Sequence, residues 1–66
     1  MEERFSVIMG SDDSQKTVRV KGKTMFDHMV AFDIANAIVK KYNHKIDVTI
    51  WDECTGDKIW GFVSQK

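Results

Sequence analysis

One cysteine, Cys54, and no proline occur in the 66 residues. A single thiol cannot form an internal disulfide, which excludes the cross-linked frameworks that hold many small secreted domains together. It fits a reducing compartment, so a cytoplasmic location is expected. Charge of one sign is also missing, since ten basic residues balance ten acidic ones. A dedicated nucleic-acid binder usually carries a basic excess, because phosphate contacts supply most of its affinity. Neutrality therefore argues against that class, though it leaves room for a local basic patch. No apolar run approaches the roughly 20 residues that span a bilayer. The opening segment MEERFSVIMG has no basic stretch followed by a long apolar one, so neither a membrane helix nor a signal peptide is expected. Repeats, linkers and low-complexity tracts are absent too. With 42% apolar residues, the chain reads as one ordered domain over residues 1–66.

A chain this short buries only about 60% of the surface its unfolded form exposes. Disulfides, metals or association with another chain are the usual supports. Association is the one this composition favours.

Hydrophobic periodicity predicts the order ββαββ. Residues Arg4 to Met9 alternate, with Phe5, Val7 and Met9 on one side and Arg4, Ser6 and Ile8 on the other, the mark of a half-buried strand. Turn formers fill Gly10 to Gln15. Lys16 to Lys21 alternates again, with Val18 and Val20 inward. Pairing Val7 with Val18 and Phe5 with Val20 gathers all five apolar side chains on one face. From Met25 to Tyr42 the pattern is helical, with Thr24 as the expected N-cap. The predicted inward stripe is Val30, Ala31, Ile34, Ala35, Ile38, Val39 and Tyr42; Asp33, Asn36 and Lys40 lie opposite. Lys40 and Lys41 suit the negative end of the helix dipole, and Asn43 suits a left-handed cap.

The last third reads as a hairpin with two apolar faces. Its turn is Asp52 to Asp57, with Gly56 placed for positive φ. Setting Trp51 opposite Lys58 puts Ile50 against Ile59 and Ile46 against Val63, an aliphatic inner face that includes Val48. The other face then carries Trp51, Trp60 and Phe62 among Asp47, Thr49 and Lys58. The expected fold is a small α+β domain, a four-stranded and mainly antiparallel sheet with one helix packed on one face. The aliphatic side chains already fill that core, so the aromatics are surplus to it.

Surplus aromatics suggest a docking surface, because such side chains bury large areas at low entropic cost. The expected partner-binding set is Trp51, Trp60, Phe62, Thr49 and Lys58, rimmed by Arg4 and Arg19. Two plainer arrangements compete: cross-strand packing over the open face, or a reversed register that buries the indoles and turns the aliphatics outward. A possible second interface is Met25, Phe26 and Met29 on the helix, where methionine adapts to varied partners. Sheet-surface stacking on single-stranded nucleic acid is the alternative, using Arg4, Arg19, Lys21 and Lys58. Glu2, Glu3, Asp47, Asp52 and Asp57 would weaken that potential. A homodimer is the third reading.

Candidate chemistry is sparse. His28, His44 and Cys54 lack metal-ligand spacing. Asp12 and Asp13, like the acids of the second turn, lack the twelve-residue calcium pattern with its closing glutamate. Cys54 sits among acids that oppose a thiolate. No phosphate loop, Ser-His-Asp set or paired carboxylates can be assembled, so no catalysis, cofactor or metal is expected. In size and architecture the chain resembles small phage-encoded proteins that inhibit host enzymes or defence complexes by docking onto them. That resemblance implies a viral inhibitor or adaptor with an unidentified protein partner, acting in the host cytoplasm.

Overall fold

A computed structural model describes residues 3–10 and 13–64. Glu2, Ser11 and Asp12 of the readings above lie outside the described residues. The elements are β1 (Phe5–Met9), β2 (Lys16–Thr17), α1 (His28–Lys41), β3 (Val48–Asp52) and β4 (Asp57–Phe62). They form an α+β domain whose single antiparallel sheet has the order β2-β1-β3-β4.

The first hairpin has the predicted register. Ile8 lies opposite Thr17 and Met9 opposite Lys16, and the Val18 N–H donates to the Val7 carbonyl at 2.8 Å. The strand ends sooner than expected, however. Val20 and Lys23 exchange both backbone hydrogen bonds, at 3.0 and 2.9 Å, around Lys21 and Gly22 with φ of 52° and 80°. Two adjacent positive φ values mark a type I′ turn, for which Gly22 supplies the freedom. This turn reverses the chain before Val20 can reach Phe5. Phe26 takes the place opposite Phe5, exchanging backbone bonds at 3.0 and 2.8 Å. Phe26 is therefore core, whereas Val20 is 39% exposed.

The helix also begins later than predicted. Asp27, not Thr24, is the N-cap, and its carboxylate accepts the Val30 N–H at 2.9 Å. Thr24, Met25 and Phe26 stay outside the helix because Phe26 is tied to β1. The helix end follows the sequence more closely. Asn43 is left-handed at φ 55°, joined by His44 at 63°. Asn43 N–H donates to Lys40 and His44 N–H to Val39, at 3.1 and 2.9 Å, which is the Schellman arrangement. Ala31, Ala35 and Val39 are the buried stripe, with Phe32, Ile34 and Ile38 packed beside it. Val30 and Tyr42, expected inward, are 41% and 42% exposed.

Val48 and Ile50 of β3 are fully buried beneath the helix, together with Val7. The second hairpin departs from prediction at one residue. Trp51 lies opposite Lys58 as expected, but a β-bulge then shifts the pairing, so Ile50 faces Trp60, Thr49 faces Gly61 and Val48 faces Phe62. Directly paired residues share a face, and a one-residue slip exchanges the two faces of a strand. Trp60 and Phe62 consequently join the covered side and pack against the core. Ile59 and Val63, expected inward, are 38% and 78% exposed.

Candidate docking face on the open side of the sheet

On the side away from α1 lie Ser6 and Ile8 of β1, Thr49 and Trp51 of β3, and Lys58 and Gly61 of β4, with Ser6 buried among them. Cross-strand pairing places Ser6 beside Trp51, Ile8 beside Thr49 and Thr17 beside Ile8. The Phe5–Phe26 bridge turns Phe26 inward and therefore sets its neighbour Met25 next to Ser6 on the open side. Ile8 and Trp51 are half-buried, and Met25 is 44% exposed. The patch is thus an indole, an isoleucine and a methionine with threonines around them.

Two hollows shape this face. One of about 210 Å³ lies among Ser6, Ile8, Thr17, Thr24, Met25 and Glu53. The Ser6 hydroxyl donates to Glu53 Oε2 at 2.6 Å across its end. The other is a trough of about 470 Å³. Thr49 and Gly61, two small paired residues, form its floor, while Trp51 and Lys58 stand on one bank and Asp47 and Val63 on the other. The Lys58 chain runs over Gly61, its Cδ, Cε and Nζ each 3.8 Å from where a Cβ at residue 61 would stand. The Asp47 carboxylate accepts the Ser64 N–H at 2.6 Å, which fixes the far bank.

Of the seven predicted docking residues, Trp51, Thr49 and Lys58 come together. Phe62 borders the same trough, though its ring is partly buried against the core, and Trp60 does not join them. The Trp60 ring meets Phe32 edge to face at 6.0 Å, and Phe62 meets His44 at 5.7 Å. Arg4 turns to the covered side as well. Its guanidinium is 3.1 Å from the buried Asp52 carboxylate and 5.3 Å from the Phe5 ring centre. Arg19 is exposed just beyond β2. The proposed second interface splits three ways, with Met25 on the open face, Phe26 in the core and Met29 71% exposed on α1. Met25 and Gly61 belong to the face without having been assigned to it. The adjacent Lys21 and Gly22 carried the signal for the first, since a tight turn there re-pairs the segment that follows.

No family model matches this chain, and neither curated proteins nor solved structures give a match. Its chemistry is read from its own groups. Among the described residues no three His, Cys, Asp or Glu side chains converge. His28 lies between the Phe5 and Phe32 rings, at 5.5 and 4.7 Å. Cys54 is exposed at the hairpin tip, where its N–H donates to Asp52 Oδ1 at 2.9 Å. Among the described residues no helix is long and apolar enough to cross a membrane.

Proposed function

We propose that the chain is a non-catalytic protein–protein interaction module, an inhibitor or adaptor of the kind phages direct at host enzymes or defence complexes. It acts in the cytoplasm, as its single thiol suggests, and docks through the open sheet face. The observation that carries this reading is the half-buried Trp51 beside Ile8 on a face that none of the described elements packs over. An indole so placed offers a large, rigid contact area with Lys58 and Thr49 as a polar rim. The alternative of single-strand binding is weakened because Arg4 is engaged with Asp52, which thins the basic rim.

The test compares the intact chain with Trp51→Ala and with Asn36→Ala on the exposed side of α1, each used to capture proteins from the native cytoplasm. The expected result is one specific partner retained by the intact chain and by Asn36→Ala, and lost by Trp51→Ala while that variant still folds cooperatively. Retention by Trp51→Ala, or no specific partner at all, overturns the assignment. Binding to random oligonucleotides with a steep salt slope would favour nucleic acid instead.

A further inference from the structure

We infer that the outer edge of β4 pairs with the same edge of a second copy of this chain, joining two four-stranded sheets into one. Among the described residues no strand pairs with β4 on the side away from β3, where alternate residues turn their N–H and C=O groups outward. Soluble proteins usually blunt such an edge with lysine, proline or a bulge. Here Lys58 and the bulge lie toward the start of the strand. From Ile59 to Val63 the edge carries neither charge nor proline. Apolar side chains on it are open to water, Ile59 at 38% and Val63 at 78% exposed.

The strand is complementary to itself, which selects the partner. A two-fold axis through Gly61, normal to the sheet, sets two β4 strands antiparallel. Ile59 then faces Val63 of the second copy and Trp60 faces Phe62, each contact occurring twice. Directly paired residues share a face, so aliphatic meets aliphatic on the open side and ring meets ring on the covered side. Gly61 sits on the axis, where two side chains would otherwise meet. Lys58 falls beside Ser64, whose N–H the Asp47 carboxylate accepts at 2.6 Å, so each ammonium approaches a carboxylate of the other copy. Moving the axis to Trp60 would set Ile59 against Gly61 and Lys58 against Phe62, losing both matches. Pairing in this register leaves the two helices on one side and both Trp51 side chains on the other, so the docking face stays open. It also gives a 66-residue chain the association that small cores commonly need.

Sedimentation equilibrium of the full chain across a concentration series tests the pairing. A reversible monomer–dimer equilibrium is expected. Val63→Lys and Ile59→Lys each put a charge on the edge twice per dimer and should weaken self-association about tenfold or more. Both residues are exposed in the single chain, so its circular dichroism should not change. Amide exchange of the intact chain supplies a readout free of any substitution: protection along residues 59–63 should rise with concentration, and that of β2 should not. Trp51→Ala should leave the dimer intact, so failure of this pairing and failure of the docking-face reading are separate results. A monomer at every concentration, species larger than a dimer, a dimer that both lysine variants retain, or one that Trp51→Ala dissolves overturns the inference.

Discussion

Replacing Trp60 by alanine removes the side chain that β4 places opposite Ile50 and against Phe32. Truncating a fully buried tryptophan costs about 3–5 kcal/mol. Trp60 is half-buried, so about half of that applies, and the edge-to-face pair with Phe32 adds about 0.5–1.5 kcal/mol. The sum is about 2–4 kcal/mol. For a domain of this size about 1 kcal/mol moves Tm by about 4–8 °C, so a fall of about 8–32 °C is expected. That is a large share of the stability a 66-residue chain can have, about 3–10 kcal/mol. Trp51→Ala is the matched control, since the same indole is deleted one strand away on the open face. Trp51 is half-buried too, so truncation costs about 1.5–2.5 kcal/mol on the same reckoning, without the ring pair that Trp60 makes with Phe32. Urea and thermal denaturation followed by far-UV circular dichroism compare the two without relying on the indole that each variant lacks. Equal losses, or a larger loss for Trp51→Ala, would refute the assignment of faces and the bulge that produces it.

Gly10 has φ 109°, and a Cβ there would stand 2.5 Å from the Ser14 carbonyl oxygen, so Gly10→Ala should cost about 2 kcal/mol or more in a denaturant titration. Asp27→Ala should cost about 1 kcal/mol as a lost N-cap, against a few tenths for Thr24→Ala; the reverse order in melting experiments would put the helix start back at Thr24. Asp52→Ala leaves the Arg4 guanidinium and the Cys54 N–H without their carboxylate. Its expected cost is about 2–4 kcal/mol, with faster amide exchange across residues 53–56 as the local signature.

Much of the architecture was readable along the chain because it rests on local repetition. The alternation of Phe5, Val7 and Val18 set the first hairpin's register, and Val48 and Ile50 face the helix as their spacing required. Lys40, Lys41 and Asn43 marked the helix end, since dipole and left-handed cap act within one turn. The start of the helix was harder to read. Thr24 and Asp27 both make competent caps, and only the backbone pairing of Phe26 with Phe5 selects between them. The site suffered more, because alternation assumes one residue for each partner across the ladder.

Composition and periodicity by themselves thus determined the element order, the class and the faces of β1 and β3. The tertiary structure decided the face of β4. A single inserted residue at Ile59 leaves no mark in the pattern, yet it exchanges the environments of Ile59 and Val63 with those of Trp60 and Phe62. The reason is packing. α1 brings small alanines to the middle of the sheet, and the large rings of Trp60 and Phe62 fill out the core beside them. Volume matching between helix and sheet therefore outweighed strict alternation, leaving Trp51 as the one indole on the open side.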